Sequence, residues 1–466
     1  MKGRAPHCRR VSCALAALAA AGALAAALAW NSIFESVFSD VSTHFVKYIM
    51  KGCAPHCRRV SCALAALAAA GALAAALAWN SIFESVFSDQ IALRPDSRSF
   101  QSWVAPTIPL FFDVYLFNWT NSENFPEEKP NLVEVGPYRF REHRRHVNVS
   151  WHPSNGSIAY KTQRTWYFDE TSNVTLQDNI TILNIIAARN NSIETDGYME
   201  VTTGEQEGVL PGQILRWNHM DSLPYYQGEC AKIAGSAGEF MPHNLTEDTQ
   251  LEIFMGDLCR TVYFNYTETG NLNGLTYLKY SMNENTFDTS NTCFCNGDCA
   301  WSGVMNVSAC RYGAPAFLSL PHFLHGDPEL LTMVNGLNPD PKKHSFYFAI
   351  EPKLGVPVDV SARFQFNVFM EPSPNIALYE NVPKMLFPVF WVEQKVVVDD
   401  SVIAELRKVR AVSDWGATIC ACVALMFAGF ITLASCCKKS YFKKTKVNII
   451  TLEKPRDDAD VKLNPL

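Results

Sequence analysis

Residues 415–437 read WGATICACVALMFAGFITLASCC, a run of 23 residues without a charged side chain. As a helix this run is long enough to cross a bilayer, and buried core helices seldom go so far without a charge. Lys438, Lys439, Lys443, Lys444 and Lys446 follow it. Basic residues stay on the cytoplasmic side, so the chain beyond 437 is expected inside and the chain before 415 outside. Residues 60–79, VSCALAALAAAGALAAALAW, are also uncharged, follow Arg58 and Arg59, and end at Trp79. They read as a second span, again with the basic flank inside. The resulting layout has a cytoplasmic start at 51–59, a span at 60–79 and an external domain at 80–414. A span at 415–437 and a cytoplasmic tail at 438–466 complete it.

The string of 60–79 also stands at 11–30, and residues 2–40 match 51–89 at every position except Arg4 against Cys53. Repeats of a solenoid do not stay this identical. Each copy opens Met-Lys-Gly, at Met1 and Met50. Residues 1–50 therefore read as a recent duplication or a gene-model artefact, with a cleaved signal peptide as the rival reading of the first copy. Two inserted copies would place the chain ends on opposite sides, against the charge rule. Each copy holds 11 Ala and 4 Leu, so its drive to insert is modest.

The chain has 466 residues, a net charge of −6, 48% hydrophobic residues and 18% charged ones. That balance excludes a disordered chain and argues against a nucleic-acid partner. The external segment holds six cysteines, Cys230, Cys259, Cys293, Cys295, Cys299 and Cys310. An even, clustered set suits disulfides in an oxidising compartment, and spacing alone does not choose among the pairings. A zinc site at Cys293, Cys295 and Cys299 is the rival, weakened by the external location. Glycosylation sequons begin at Asn118, Asn148, Asn155, Asn173, Asn179, Asn190, Asn244, Asn265 and Asn306, where roughly three would arise by chance. Cys57, Cys436 and Cys437 flank the spans on the cytoplasmic side and are candidates for palmitoylation, against the plain alternative of small apolar helix residues.

Most of the external segment reads as strand. Residues 111–117, 132–140, 146–151, 158–168, 261–266, 275–280, 346–350, 358–370 and 389–398 are rich in β-branched and aromatic side chains, with Gly, Pro and Asn between them. Leu176, Ile180, Leu183 and Ala187 recur at helical spacing and predict a helix over 176–189. Arg139, Arg141, His143, Arg144, Arg145 and His146 form a basic cluster, a patch for anionic lipid or, more plainly, a solvated face. Catalytic patterns are scarce. Ala234-Gly-Ser-Ala-Gly238 lacks the first Gly of a nucleophile elbow and reads as a flexible loop. His322 and His325, three residues apart without an acidic partner, are a weak metal signal. No phosphate-binding loop, dinucleotide fingerprint or HExxH occurs. The chain does not read as an enzyme, and no cofactor or metal is expected.

Several strings together resemble the CD36-type class B scavenger receptors, with an insect-like style of divergence. They are Val135-Gly-Pro-Tyr-Arg-Phe-Arg-Glu142, Cys293-Phe-Cys295, Leu318-Ser-Leu-Pro-His-Phe323, Asn335-Gly-Leu-Asn-Pro339 and Ile350-Glu-Pro-Lys-Leu-Gly355. With the two anchors, the resemblance covers nearly all of 50–440. It implies a mainly β fold: an irregular antiparallel β-barrel ectodomain with short helices and an internal hydrophobic tunnel, held by N- and C-terminal transmembrane helices. It implies disulfides Cys230–Cys293, Cys259–Cys310 and Cys295–Cys299. The last encloses only Asn296-Gly-Asp298, shorter than usual in the family. The resemblance further implies a receptor at the plasma membrane that binds lipids or lipoproteins and passes apolar cargo to the bilayer. The cargo would be fatty acid, sterol ester, carotenoid or lipidic pheromone. An acyl chain of about sixteen carbons gains on the order of 10 kcal/mol by leaving water, too much for rapid desorption through it. A conduit avoids that step and needs no cofactor. A sorting receptor of endosomal or lysosomal membranes and a phagocytic recognition receptor are the rival functions, and a homo-oligomer is among the states allowed. The chain departs from the family in one place. A helical apex of several dozen residues is expected after Ala188, but only 189–197 stand there, so no ligand residues are assigned to the apex.

Overall fold

The computed structural model describes residues 70–71, 74, 76–171, 174–183, 197–288, 292–294, 301–311, 313–375 and 379–450, as backbone alone at 98, 397, 428–429 and 431–450. Residues 11–30, most of the span at 60–79, the shortened apex, Asn173, Asn190, Cys57, Cys295, Cys299 and the side chains of Cys436 and Cys437 lie outside this set. The chain divides into two compact units, 85–410 and the joined ends 1–84 with 411–466.

The larger unit is one antiparallel sheet of 13 strands. In chain order these are β1 Leu110–Trp119, β2 Leu132–His152, β3 Ser157–Phe168, β4 Tyr198–Thr202, β5 Ile214–Trp217, β6 Leu251–Met255 and β7 Arg260–Leu272. There follow β8 Leu275–Met282, β9 Val304–Asn306, β10 Ala316–Ser319, β11 Tyr347–Glu351, β12 Val356–Met370 and β13 Met385–Val397. The spatial order is β5-β4-β3-β2-β1-β13-β12-β11-β8-β7-β6, with β10 and β9 branching from β12. The long central strands are those richest in β-branched and aromatic residues, which fit a pleated surface. β2 joins two stretches that the sequence separates. Its Arg- and His-rich middle stays in register with β3 from Phe140↔Phe168 to Val147↔Lys161.

The sheet nearly closes on itself. Its edge strands β5 and β6 are joined by residues 234–237 rather than by each other. On one side, the Ile214 N–H donates to the Gly235 carbonyl and the Ala237 N–H to the Gly212 carbonyl, both at 2.9 Å. On the other, the Ser236 N–H donates to the Glu252 carbonyl at 2.9 Å and the Phe254 N–H to the Ser236 carbonyl at 2.8 Å. The stretch expected as a flexible loop is thus the seam of the barrel, because it satisfies backbone groups that the edges would otherwise leave open. Gly235, with φ +85°, is required there: a Cβ would overlap the Glu252 carbonyl. The Ser236 hydroxyl donates to the Phe240 carbonyl at 2.5 Å and accepts from the Gly238 N–H at 3.0 Å, so it is committed to the turn.

The helix expected at 176–189 is not formed over its described part. Residues 176–183 are a turn followed by irregular chain. Their polar groups are used by the end of β1 instead: the Trp119 N–H donates to the Thr181 carbonyl at 2.8 Å, and the Thr181 N–H to Asn118 Oδ1 at 2.9 Å. Among the described residues the α-helices longer than four residues are α1 Trp79–Ile91, α2 Arg98–Val104 and α3 Asp400–Ile450, and two single-turn helices stand at Leu330–Met333 and Pro341–His344. Ser97 caps α2, accepting from the Phe100 N–H.

In the smaller unit, the Trp79 indole N–H donates to the Ser413 carbonyl at 3.2 Å, which joins the start of α1 to the body of α3. Trp415, Leu425 and Phe430 are 62%, 65% and 70% exposed there, an apolar surface that water does not favour. Within α3, Asp400–Phe427 is long and apolar enough to cross a membrane, and it is the one such helix among the described residues.

Candidate functional site

Strand β12 inverts the usual pattern of a half-exposed strand. Ser361, Arg363, Gln365 and Asn367 are buried, at 0%, 7%, 0% and 1% exposure. Their alternates Ala362, Phe364, Phe366 and Val368 are only half-buried. Polar groups go inside mostly when bonded, and here all four side chains have partners, with Arg363 Nε the one atom left without a hydrogen bond. Glu393 accepts from Arg363 Nη2 at 2.7 Å and from the Ser361 hydroxyl. Arg363 Nη1 donates to the Ser345 carbonyl at 2.6 Å. Gln365 Oε1 accepts from the His322 N–H at 2.7 Å, and Asn367 Nδ2 donates to Ser319 Oγ at 3.0 Å. The polar face of β12 is therefore sealed by the segment 317–345.

The other face runs across the sheet through paired residues. Phe168, Phe140, Phe112, Gln394 and Ala362 form one row. Tyr138, Val114, Val392 and Phe364 form the next, and Leu116, Phe390 and Phe366 a third. Phe366 stacks on Phe390 with ring centroids 4.6 Å apart, and Phe364 meets Phe346 edge-on at 5.2 Å. Phe112, Phe140, Phe168, Phe364, Phe366 and Phe390 are all half-buried. The face is a wall of rings that the described residues leave half-covered. It continues into a closed core of Phe264, Tyr280 and Phe348.

At one border of the wall sits Glu142, buried. Its Oε1 accepts from Arg144 Nε at 2.9 Å and lies 3.8 Å from Arg164 Nε, while its Oε2 accepts from Gln394 at 2.8 Å and from Trp166 at 3.2 Å. Arg144 and Arg164 stand directly opposite each other in the β2–β3 ladder, and this carboxylate offsets their repulsion. Most of the basic cluster is committed in this way. Arg139 grips both oxygens of buried Asp113 at 2.8 and 2.6 Å, which raises its pKa, and Arg141 reaches Asp169 at 3.4 Å. His146 is buried, 2.9 Å from Glu239. Burial would push the Glu239 carboxyl up, yet His146 and the Trp103 indole hold it below its ordinary value. His143 and Arg145 are exposed.

His322 and His325 do not come together. His325 lies 3.8 Å from Glu284. His322 instead joins Glu134 and His344, whose ligand-type atoms lie within 4.8 Å of one another. The proton arrangement does not suit a metal. The Asn338 N–H donates to His322 Nδ1 at 3.0 Å and the Asp340 N–H to His344 Nδ1 at 2.9 Å. Each neutral ring then carries its proton on Nε2, and that of His322 points at Glu134 Oε2, 2.6 Å away. Trp391 donates to the same oxygen at 2.8 Å. Burial would raise the Glu134 carboxyl, but the His322 and Trp391 bonds hold it low. Burial, with His322 stacked at 4.4 Å, pushes His344 down to about 4. The cluster is a clamp that fixes 322–344 onto the sheet.

The structure bonds Cys230 to Cys293 and Cys259 to Cys310. Asn148, Asn155, Asn179 and Asn244 are exposed, and Asn118, Asn265 and Asn306 half-buried. Sequence reasoning missed the wall because its rings come from strands far apart in the chain. The alternation Ala362-Arg-Phe-Gln-Phe-Asn-Val368 was the available signal, but it does not say which face is covered.

The CD36 family model matches residues 61–190 and 186–438, in two pieces that meet where the apex is short. Among curated proteins, Protein peste of Drosophila melanogaster is 33% identical over 397 residues, covering 69% of this chain and 72% of its own. Lysosome membrane protein 2 of Homo sapiens is 26% identical over 389 residues, 68% of this chain and 81% of its own. Scavenger receptor class B member 1 of Rattus norvegicus is 26% identical over 378 residues, 65% and 74% respectively.

Proposed function

The chain belongs to the CD36 family, and on that premise we propose that it captures lipids or lipoproteins outside the cytosol and passes apolar cargo to the membrane along the ring-lined face of its sheet. One observation carries this reading: on β12 the apolar residues are more accessible than the polar ones. A strand built only for stability would cover the rings and wet the polar groups. Half-covered rings on a sheet that nearly closes are instead suited to a transient oily ligand, with the closed sheet forming a tunnel around it. Each methylene that rests there is worth about 0.8 kcal/mol relative to water.

The rest of the reading follows the charge pattern. Both ends are anchored, at 60–79 and 415–437, with the ectodomain outside and both termini in the cytoplasm, at the plasma membrane. The sequons carry glycans, Cys295 and Cys299 make the third disulfide, and Cys57, Cys436 and Cys437 are acylated. The test is uptake of labelled fatty acid and labelled sterol ester by cells displaying the chain. Uptake above that of cells displaying an unrelated receptor is expected. Surface protein with no uptake of any lipid class would defeat the proposal. The likeness to Lysosome membrane protein 2 supports a second reading, a receptor of lysosomal membranes. Microscopy of a tagged chain separates the two.

A further inference from the structure

His322 and His344 are both buried and lie ring on ring, with centroids 4.4 Å apart and planes 10° from parallel. A backbone N–H is aimed at Nδ1 of each, that of Asn338 at His322 and that of Asp340 at His344. Both donors belong to the strap 336–343, most of which faces water. At one end the strap is stapled to the chain before β2: the Leu132 N–H donates to the Asn335 carbonyl at 3.0 Å and the Asn335 N–H to the Pro130 carbonyl at 2.9 Å. At the other, Arg363 donates to the Ser345 carbonyl, and the Met282 N–H donates to the Phe346 carbonyl at 2.9 Å. Between these staples, among the described residues, the hydrogen bond that ties the strap to another element is the one to His322. The bond to His344 closes the turn 340–344 around that ring.

An imidazole that accepts at Nδ1 carries its one proton on Nε2, so a second proton has one place to go. Protonated Nδ1 is a donor, and it cannot keep the Asp340 N–H, another donor, in front of it. The charged or titratable groups facing His344 are His322, Glu134 of β2, Asp340 of the strap and Arg363 of β12. Glu134 already accepts from His322 and Trp391, Asp340 accepts from the Lys342 N–H, and Arg363 is paired with Glu393. The closed arrangement therefore offers a charged His344 no bonded counter-ion, whereas water would solvate it. Burial, and after it the His322 ring, disfavours the charge and holds His344 down at about 4. We propose that His344 is an acid-operated latch: a proton taken from the medium at Nδ1 expels the Asp340 N–H, and the charged ring leaves the stack with the turn 340–344, freeing the strap from the sheet. A ring held below its free value stays neutral and closed above about pH 6.5, and release grows as pH falls toward 4. The staples at Asn335 and Phe346 keep the release local, and the proton returns to the medium when the pH rises. The device is independent of the cargo. It gives the domain a second conformation in acidic surroundings, in which His322, Gln365 and Trp391 on the polar face of the sheet lose their cover.

The test is hydrogen exchange of the full chain in lipid nanodiscs, resolved to single amides and corrected for the intrinsic pH dependence of exchange. Protection of the Asp340 and Asn338 amides is expected to fall roughly tenfold or more from pH 7.5 to pH 5, the size set by a ring that moves from about 4 to 6.5 on release. The Phe254 amide, bonded across the seam to the Ser236 carbonyl, serves as the control and should not change. In His344→Gln, which cannot take the proton, Asp340 protection should lose its dependence on pH. Protection of Asp340 in the native chain that is the same at both pH values would overturn the latch, whether or not the variant folds. An equal fall at Phe254 would overturn it as well, since the acid would then be opening the whole domain. So would a His344→Gln chain whose Asp340 amide keeps the native pH dependence.

Discussion

Replacing Gly235 with Ala should open the barrel, and the cost can be separated from simple backbone strain. Gly235 and Gly208 have similar positive φ, +85° and +77°. A Cβ at Gly208 meets nothing within 4 Å, whereas one at Gly235 overlaps the Glu252 carbonyl. Both alanines carry the left-handed penalty of about 1–2 kcal/mol. Only Gly235→Ala must push 234–237 away from β6, weakening the Ser236-to-Glu252 and Phe254-to-Ser236 backbone bonds. Each buried backbone pair left unmade costs about 1–3 kcal/mol, so the two variants should differ by about 2–6 kcal/mol. That is a large share of a total stability of about 5–15 kcal/mol. At roughly 2 °C per kcal/mol for a domain of this size, Gly235→Ala should melt about 4–12 °C below Gly208→Ala. Tryptophan fluorescence of the purified chains reads the melt. Hydrogen exchange should show faster exchange at the Phe254 amide in Gly235→Ala alone. Equal melting temperatures and unchanged exchange would refute the seam as a closing element.

Acid should loosen the clamp. His344 is held neutral at about 4 when folded, against 6.5 for a free ring, so its contribution is complete above about pH 6.5 and is lost as pH falls toward 4. The size is about 3 kcal/mol, and His344→Gln should flatten that part of a stability–pH curve measured by thermal melts. Phe366→Asp places a charge on the ring wall and should lower lipid uptake per surface molecule by roughly tenfold or more, while Tyr263→Asp, at an exposed position, should leave uptake unchanged. Mass spectrometry after enzymatic deglycosylation should find the asparagine-to-aspartate conversion left by a removed glycan at exposed Asn148, Asn155, Asn179 and Asn244, and unconverted asparagine at all of them would contradict an external domain.

The strands were legible where β-branched and aromatic residues cluster, as in β12 and β13, because side-chain type and pleat agree there. Short strands such as β4 and β5 were not, since Met199-Glu-Val and Ile214-Leu-Arg-Trp217 are strands only through their neighbours. The helix at 176–183 failed for the converse reason: local periodicity lost to bonds with β1. The strings that carry the family resemblance turn out to hold the fold together. In Val135–Glu142, Gly136 approaches Val114, Arg139 binds Asp113, and Glu142 holds Arg144. In Leu318–Phe323, His322 joins Glu134. In Ile350–Gly355, buried Glu351 accepts from the Leu354 N–H at 2.7 Å and pairs with Arg410. Of the ring wall only Tyr138 and Phe140 fall within these strings. No local pattern could reveal the wall as a whole, because its rows are assembled by pairing between strands distant in the chain, which is a property of the folded sheet.

The most direct measurement is photocrosslinking of the full chain in nanodiscs with a diazirine-bearing acyl lipid, followed by peptide mapping. The account predicts adducts on β1, β12 and β13 at Phe112, Phe364, Phe366 or Phe390, competed by unlabelled lipid. Adducts confined to the outer surface of the domain, or none in those strands, would contradict it.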